Sequence, residues 1–361
     1  MAWGVGAMED PSLPLPHRPP HNMTRQPITL TRYILDQQQV HPGATGELSV
    51  LLTQIGLAAK IISRELSLLA FGALRGETGD TNVQGEEVKR LDQFANETFI
   101  HVFGHSGLVC TLISEEMEKP LHLAENCPHA KYTLLFDPID GSANIDVNGA
   151  VGSIFSIYRR PAGGDHTTPE ANLRPGSEQV IAGYVLYGPG TMLVYADSRG
   201  VQAFTLDPGI GEFLLSHERI RIPAKGKTYS VNEGHSGVWH PETRRFIDYL
   251  KQKDPKSGRP YSARYIGAFV ADFHRTLVSG GVFLYPADTA NPKKPSGKLR
   301  LMYEVNPMAL IAERAGGRAS TGTQRVLEIT PTSLHQRAPV IIGSADDVAL
   351  GERFARGEAP A

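Results

Sequence analysis

Residues 134–146 read LLFDPIDGSANID, an apolar run that leads into two aspartates three positions apart. The run is typical of a buried β-strand, and a strand that ends on Asp137 and Asp140 places two carboxylates at one point. Pro138 restricts the turn, and Gly141 and Ser142 open a predicted helix whose free N–H groups can bind an anion. The stretch therefore predicts a place where cations and phosphate meet, with an Asp-Pro turn followed by an ordinary N-cap as the alternative.

Further acidic residues follow two other apolar segments. Glu115 and Glu116 come after the apolar residues 108–113, and Glu304 lies just before a helical pattern. Taken singly, an acidic pair is typical of solvated surface, and Glu304 is typical of a helix start. If the acids converge, their repulsion costs several kcal/mol unless protons or cations neutralise it. Such oxygen ligands favour Mg²⁺ or Mn²⁺, and two such ions together can promote hydrolysis of a phosphate ester.

Composition predicts a globular protein of two domains. The chain has 361 residues, 40% of them hydrophobic and 20% charged, and a formal net charge of −2. The charges form no basic tract, so no nucleic-acid partner is expected, and no apolar run reaches the roughly 18 residues needed to span a bilayer. We therefore expect a cytoplasmic protein without a membrane partner. Cys110 and Cys127 are too few for a disulfide framework and are expected to be reduced.

Periodicity predicts an α+β half followed by an α/β half. Apolar residues recur at steps of three and four through 45–74, which predicts one long amphipathic helix, and a second helix is predicted to begin near Glu86. Short connections favour antiparallel pairing of five predicted strands. These strands are 132–136, 153–158, 180–187, 191–196 and 202–206. Later helices are predicted near 241–253, 267–279 and 306–315.

The domain limits follow from the change, between residues 215 and 225, from successive strands to alternating strands and helices. Residues 1–27 are predicted to be a disordered tail, because five prolines fall within the first 20 residues and no signal-type apolar stretch accompanies them. Met23 precedes the first patterned segment, and we hypothesise that translation begins there. Residues 28–220 form the first predicted domain and residues 221–355 the second.

Several motifs together resemble class I fructose-1,6-bisphosphatase. The acidic positions lie in SEE (114–116), FDPIDGSANID (136–146) and KLRLMYEVNPMA (298–309). The DPIDGS element alone is shared with the wider lithium-sensitive phosphatase superfamily, but six further stretches match this family in order. They are TGEL (45–48), TNVQGE (81–86), VGSIFSIYRR (151–160), NEG (232–234), ARYIGAFVADFHRTL (263–277) and FLYPA (283–287). The resemblance runs from about residue 30 to residue 354.

This resemblance implies a layered sugar-phosphatase fold, α+β to α/β, with an N-terminal antiparallel-sheet domain for AMP and a C-terminal α/β domain for substrate. The implied reaction is hydrolysis of the 1-phosphate of D-fructose 1,6-bisphosphate in gluconeogenesis, with Mg²⁺ or Mn²⁺ as cofactor and AMP as inhibitor of a homotetramer. Two alternatives stay open. One is sedoheptulose-1,7-bisphosphatase activity, with residues near Ala268 and Phe269 shaping the choice, and the other is a non-catalytic AMP-sensing protein of the same fold.

The resemblance also implies roles for individual residues at the metal site. The implied metal ligands are Glu115, Asp137, the carbonyl of Ile139, Asp140 and Glu304. Glu116 orients or deprotonates the attacking water, and Glu86 and Asp92 belong to a catalytic loop, residues 76–92, that closes over the site. The family usually has Asp at the position of Glu86, which makes this contact a longer one.

Substrate and effector contacts are implied in the same way. The implied substrate-binding residues are Asp140, Gly141, Ser142 and Ala143 at the 1-phosphate, and Asn232, Arg264, Tyr265, Tyr285 and Lys298 at the sugar and 6-phosphate. Arg264 resembles an arginine lent across a subunit interface, and His235 stands where animal members carry tyrosine. The implied AMP site consists of Thr45, Gly46, Glu47, Leu48, Lys131, Tyr132 and Arg159. Its helix start favours phosphate binding by itself, with an ordinary Thr N-cap as the alternative.

Overall fold

A computed structural model describes residues 26–39, 46–74, 83–123, 125, 127–160, 168–287, 289 and 296–358, without the side chains of 70–74 and 83–89. The helices are α1 (Leu30–Gln39), α2 (Glu47–Leu74), α3 (Val83–Gly104), α4 (Pro241–Lys251), α5 (Phe269–Ser279), α6 (Asn306–Arg314) and α7 (Ala345–Ala355). The first sheet contains β1 (Val109–Ser114), β2 (Leu121–His122), β3 (Tyr132–Asp140), β4 (Val151–Arg159), β5 (Gln179–Tyr187), β6 (Thr191–Asp197), β7 (Gly200–Asp207) and β8 (Glu212–His217). The second contains β9 (Thr228–Ser230), β10 (Ser262–Ala263), β11 (Val282–Tyr285), β12 (Arg318–Ser320) and β13 (Val340–Gly343). In the described part of the chain, no helix is long and apolar enough to cross a membrane.

The first sheet is the central layer of the molecule, in the order β2-β1-β3-β4-β5-β6-β7-β8. Strands β3 to β8 pair antiparallel with their neighbours, as predicted for the five strands β3 to β7, whereas β8 was not predicted. Among the described strands of this sheet, only β1 and β3 pair in parallel. One face of this sheet packs against α1, α2 and α3 in a core that includes Ile55, Phe99 and Phe155. The opposite face packs against α5 and α6, with Tyr184 beside Phe273. Helices cover both faces, so β3 and β4 are buried almost throughout.

The second sheet has the order β10-β9-β11-β13-β12 and mixes parallel and antiparallel pairs. Phe283 and Ile342 of this sheet pack against α5 and α6, so these two helices lie between the two sheets. The outer face packs against α4 and α7 through Phe246 and Val348. The layers therefore run helix, sheet, helix, sheet, helix, which places the carboxyl end of β3 beside the start of α5.

Two helices near the amino end differ from the prediction. Helix α3 starts at Val83, so the predicted loop 76–92 is helical from Val83 onward. Residues 75–82 lie outside the described residues. The Gly, Thr and Asn content of 76–85 suggested a loop, but the good helix formers of EEVKRL begin at Glu86 and extend the helix. Helix α1 was not predicted, because its ten residues are mostly polar and bury only Leu30, Tyr33 and Ile34.

Cys110 and Cys127 form a disulfide, so the expectation of two reduced cysteines is wrong for this structure. Strand β2 turns back along β1, with Thr111 opposite His122, and the Leu123 N–H donates to the Cys110 carbonyl at 2.8 Å. The Cys127 N–H then donates to the Leu123 carbonyl at 3.1 Å. This return path brings the cysteines together, and a sequence separation of 17 residues does not reveal it.

We expect reduction of this disulfide to lower the free energy of unfolding by about 3 kcal/mol, since a crosslink of this span restricts the unfolded chain. Urea unfolding of the oxidised protein, with and without a dithiol reductant, measures the change. The double variant Cys110→Ser with Cys127→Ser is the matched control. Its urea midpoint should resemble that of the reduced protein and should be the same with and without the reductant. Coincident transitions of oxidised and reduced protein would contradict the expectation.

Candidate active site

Three buried carboxylates from two distant segments meet at the end of β3. Asp137 and Asp140 lie on that strand, and Glu304 lies in the π-helical turn 301–305 that leads into α6. Each is less than 10% exposed, and one oxygen of each lies within 4.8 Å of the others. The predicted convergence of these three acids is therefore present in the structure.

A bulge in β3 makes this possible. In a regular strand, residues three apart point to opposite faces. Here Asp137 lies opposite Ile154 but Asp140 lies opposite Gly152, so β3 contains one extra residue between them and both side chains turn to the same site. The strand thus continues through Asp140, four residues beyond the end of the predicted strand 132–136. Gly141, with φ of +79°, follows, and a side chain there would meet Ala268.

Burial and the charges of nearby acids raise the pKa values of all three carboxyls. Burial, then the charges of Glu304 and Asp140, hold the pKa of Asp137 well above its usual range. Burial raises the pKa of Glu304 to about 7 and that of Asp140 to about 6. The Val270 N–H donates to Asp140 Oδ2 at 2.6 Å, and the Arg300 N–H donates to Glu304 Oε2 at 2.6 Å, which limits both shifts.

These residues fit a hard divalent cation. Buried Oδ1 of Asp137 has no hydrogen-bond partner among the described residues, and the cluster offers only carboxylate oxygens. A divalent ion here would neutralise their repulsion and satisfy the unpaired oxygen, and oxygen ligands in general favour hard cations.

The remaining predicted acids lie close to this cluster but are arranged differently. Glu115 forms an ion pair with Arg300 and is not one of the three clustered acids. Asp92 and Glu116 both raise the pKa of Asp137, and burial together with Glu116 raises the pKa of Asp92 to about 7. Glu86 lies in α3, but its side chain is outside the described residues, as is all of Thr45.

The predicted sugar and phosphate residues surround a cavity of about 210 Å³ next to the acids. Asn232, His235, Tyr285 and Lys298 line it. Tyr265 shares a hydrogen bond with Asn232, and burial and Tyr285 raise the pKa of Tyr265 to about 12. Lys298 lowers the pKa of both Asp140 and Glu304, which places its charge beside the acid cluster.

Arg264 and the residues after Gly141 lie at the edges of this region. Arg264 is exposed, and its guanidinium donates to the carbonyl of Ala263. Ser142 and Ala143 begin a short 3₁₀-helix, residues 142–147, where the opening stretch predicted a helix.

A second, larger cavity of about 560 Å³ lies at the start of α2. Six of the seven predicted AMP-site residues line it, namely Gly46, Glu47, Leu48, Lys131, Tyr132 and Arg159. The Lys131 ammonium forms an ion pair with Glu47 at 2.6 Å, so an anion at this helix start competes with Glu47 for Lys131. Arg199 and Arg314 also line the cavity and were not predicted.

Family models match almost the whole chain. The model described as fructose-1-6-bisphosphatase, N-terminal domain, matches residues 28–218, and the corresponding C-terminal domain matches residues 222–356. The chain belongs to the fructose-1,6-bisphosphatase family. The acid cluster and both cavities are therefore features of a family member, and the layered α+β fold expected from the resemblance is confirmed.

Close relatives of this fructose-1,6-bisphosphatase family member include class 1 proteins from two bacteria. The fructose-1,6-bisphosphatase class 1 of Chloroherpeton thalassium is 53% identical over 332 residues, 91% of this chain and 94% of the relative. That of Chlorobium luteolum is 52% identical over 333 residues, 92% of this chain and 99% of the relative. The apo crystal structure of Leishmania major fructose-1,6-bisphosphatase has 41% identity and a TM-score of 0.80, covering 92% of this chain and 100% of that one. Its T-state structure has a TM-score of 0.81, 40% identity and coverage of 91% and 99%.

Two residues that support the site were missed from the sequence. Arg300 pairs with Glu115 through its side chain and with Glu304 through its backbone N–H. Asp272, buried on α5, accepts hydrogen bonds from the N–H groups of Ile266 and Gly267, both at 2.9 Å. It thereby holds the segment that follows Tyr265. Arg300 and Asp272 lie within the matched motifs, but only the tertiary contacts distinguish them from surface charges.

We expect binding of Mg²⁺ to release more protons at pH 6 than at pH 8. The pKa values of about 6 for Asp140 and about 7 for Glu304 leave both carboxyls partly protonated at pH 6, and a metal ligand must be ionised. Calorimetric titration with Mg²⁺ in buffers of different ionisation enthalpy gives the proton count. Equal counts at both pH values would contradict the raised pKa values.

The same groups make the stability of the metal-free protein depend on pH. Their pKa values are about 4 in the unfolded chain and 6 to 7 when folded. The folded chain therefore binds more protons between these limits, and the contribution of these carboxyls to stability is largest in acid and is lost as the pH rises to about 7. Saturating Mg²⁺ should remove this part of the pH dependence.

Proposed function

We propose that the chain hydrolyses the 1-phosphate of D-fructose 1,6-bisphosphate, releasing fructose 6-phosphate and phosphate. The observation that carries this proposal is the buried group of Asp137, Asp140 and Glu304 beside the cavity that contains Lys298. A group of acids that could hold a cation thus adjoins a cavity that Asn232, His235, Tyr285 and Lys298 help to line. The names of the relatives support the choice of sugar.

The metal-binding residues in this proposal are Glu115, Asp137, the carbonyl of Ile139, Asp140 and Glu304. Bound Mg²⁺ or Mn²⁺ supplies Lewis acidity to the phosphate and lowers the pKa of bound water. Arg300 holds the Glu115 carboxylate, and the backbone hydrogen bonds to Asp140 and Glu304 fix their orientation. Side chains held in this way bind with little loss of freedom.

In this proposal Glu116 and Asp92 orient and deprotonate the attacking water. Burial, and to a smaller extent the charge of Glu116, raises the pKa of Asp92 to about 7. A general base is most effective when its pKa lies near the working pH. Glu116 orients the water, Asp92 takes its proton, and Glu86 contributes from the start of α3.

The substrate is held at both ends. The backbone N–H groups of Gly141, Ser142 and Ala143 bind the 1-phosphate, and Asp140 contacts its ester region. The other proposed contacts are Asn232, Tyr265, Tyr285 and Lys298 at the sugar and 6-phosphate, with Arg264 supplied by a neighbouring subunit. His235 lines the same cavity, which makes it a further donor for the 6-phosphate.

AMP inhibition is the regulatory part of the proposal. The nucleotide phosphate binds at the start of α2, where Lys131, Tyr132 and Arg159 approach, together with Thr45, Gly46, Glu47 and Leu48. In this proposal the inhibition requires rotation of subunits in a homotetramer. Residues 28–220 form the AMP domain of each subunit, and residues 221–355 form its substrate domain. The proposed role is in gluconeogenesis, and a cytoplasmic location stays a prediction.

Phosphate release from fructose 1,6-bisphosphate, with and without Mg²⁺ and AMP, tests the proposal. We expect no turnover without the metal and inhibition by 1 mM AMP. Comparison of kcat/KM for fructose 1,6-bisphosphate with kcat/KM for sedoheptulose 1,7-bisphosphate shows which of the two sugars is the preferred substrate. AMP binding without any Mg²⁺-dependent phosphate release would instead support the non-catalytic alternative, and native mass measurement tests the tetramer.

A further inference from the structure

Glu304 differs from the other two clustered acids in the backbone that carries it. The other two lie on the buried strand β3, whereas Glu304 lies in the π-helical turn 301–305. The Arg300 carbonyl accepts from the Glu304 N–H at 3.2 Å and from the Val305 N–H at 3.1 Å. The first bond has the spacing of an α-helix and the second that of a π-helix. The turn therefore divides its hydrogen bonding between two registers, and a small rotation exchanges one bond for the other.

The junction between this turn and α6 lacks one of the backbone bonds of a regular helix. Asn306 is the first residue of α6, and Pro307, which follows it, has no N–H to donate. The bond that would run from position 307 back to the carbonyl of Tyr303 is therefore missing. Contacts from outside the helix must contribute to holding Asn306, and with it the turn that carries Glu304.

Gln179, at the start of β5, supplies such a contact. Its Nε2 donates to the Asn306 carbonyl at 3.0 Å and to the Gly176 carbonyl at 2.7 Å. Gln179 is 5% exposed and Asn306 is fully buried, so the bond between them is shielded from water. A Cβ at Gly176 would lie 2.7 Å from Asn306 Oδ1, so the segment before β5 packs directly against this junction. Gln179 thus holds Asn306 in place from β5.

Gln179 also lines the cavity of about 560 Å³ at the start of α2, here called the effector cavity. Its Oε1 has no hydrogen-bond partner among the described residues, so the amide keeps an acceptor for a donor group of a ligand. Arg314, the last residue of α6, lines the same cavity. A ligand there therefore meets α6 directly at its end and, through Gln179, at its beginning.

We propose that Gln179 is a positioning residue for Glu304 and that it transmits occupation of the effector cavity to the metal site. In the effector-free protein, its bond to Asn306 holds the turn with Glu304 among the acids. A nucleotide that donates to Oε1 turns the amide and weakens the bond from Nε2 to Asn306. The turn then rotates, Glu304 moves away from the other acids, and the cluster binds a cation less tightly. The choice of AMP as the nucleotide rests on the proposed function, whereas the hold of Gln179 on Asn306 does not.

The first test replaces Gln179 with methionine, which has a similar shape but cannot donate this hydrogen bond. Gln179→Met should weaken Mg²⁺ binding by about three- to tenfold in calorimetry of the full-length, AMP-free protein, the range expected for loss of one hydrogen bond. Amide hydrogen exchange of residues 301–306 should become faster in the metal-free variant, with unchanged exchange in β7. The exchange measurement depends neither on the metal nor on turnover.

Gln37→Met is the matched control. Gln37 lines the same cavity, but its Oε1 accepts from Arg199, and among the described residues it makes no hydrogen bond to α6. Its Mg²⁺ affinity and its exchange in 301–306 should equal those of the unchanged protein. Equal losses of Mg²⁺ affinity in the two variants, or no loss in Gln179→Met, would overturn the positioning role. A large drop in the thermal midpoint of Gln179→Met with faster exchange throughout the sheet would show a general structural role instead.

The link to the effector is measured by titrating Mg²⁺ with and without saturating AMP. AMP should lower the Mg²⁺ affinity of the unchanged protein and of Gln37→Met by about three- to tenfold, but that of Gln179→Met by less than about twofold. AMP should also speed exchange of residues 301–306 in the unchanged, metal-free protein, which requires no variant. An AMP effect in Gln179→Met as large as in the unchanged protein, or unchanged exchange in 301–306 with AMP bound, contradicts transmission through Gln179.

These measurements separate this proposal from the proposed function. If AMP binds none of the proteins, the proposed AMP inhibition fails, and the Mg²⁺ affinity of Gln179→Met still decides whether Gln179 positions Glu304. If Mg²⁺ does not bind even the unchanged protein, the proposed metal site fails, and exchange of residues 301–306 in metal-free Gln179→Met decides the positioning role. Exchange there equal to that of the unchanged protein contradicts it.

Discussion

Asp137→Asn is expected to lower kcat for phosphate release from fructose 1,6-bisphosphate by at least about a hundredfold, while the chain stays folded. Asp137 is 4% exposed, and its Oδ1 has no hydrogen-bond partner among the described residues. Replacement by the isosteric amide removes one negative charge from the centre of the cluster. The site then attracts a divalent cation less strongly, and the developing charge on the phosphate is stabilised less.

The same substitution should not destabilise the metal-free protein. Burial and the neighbouring acids already raise the pKa of Asp137 well above its usual range, so the metal-free fold holds a carboxyl that resists ionisation. Asp146→Asn is the matched control, because Asp146 is exposed in the same segment. Phosphate release, Mg²⁺ calorimetry and thermal unfolding should be measured on both. Near-normal turnover of Asp137→Asn would remove the acid cluster from the proposed mechanism.

Gly226→Ala is expected to lower the free energy of unfolding by roughly 3 kcal/mol or more. A Cβ at Gly226 would meet the backbone of Gly280 and Gly281, just before β11, and backbone atoms cannot rotate away as a flexible side chain can. The N–H of Gly226 also donates to Asp347 Oδ2 at 2.9 Å, which fixes the segment before β9 in this position.

Gly104→Ala provides the matched control for this effect. Outside its own helix and chain neighbours, a Cβ at Gly104, at the end of α3, would meet no atom of the described residues within 4 Å. Urea unfolding should give a transition close to that of the unchanged protein for Gly104→Ala and a much lower midpoint, or insoluble protein, for Gly226→Ala. Equal midpoints would show that the β9 and β11 segments separate more easily than their packing indicates.

Much of the fold follows from local patterns. The apolar period of 45–74 predicted α2, which begins at Glu47, and alternation with short connections predicted the antiparallel run from β4 to β7. These predictions succeed because a helix or strand that buries one face must repeat apolar residues at its own period. Helix α1 and the early start of α3 escaped prediction because tertiary packing stabilises segments whose own pattern is weak.

The sequence also indicated the three acids that meet, since Asp137 and Asp140 lie in DPID and Glu304 lies in its own motif, although Glu115, predicted with them, is not in the cluster. It did not determine how they meet. Asp137 and Asp140 share a face only because β3 carries an extra residue opposite β4, and Glu304 reaches them only because α6 packs on the same sheet. Likewise, the Glu115 pairing with Arg300 and the disulfide depend on contacts between distant residues. Local sequence specifies chemistry and period, whereas register and long-range packing depend on the free energy of the whole folded chain, which only the tertiary structure expresses.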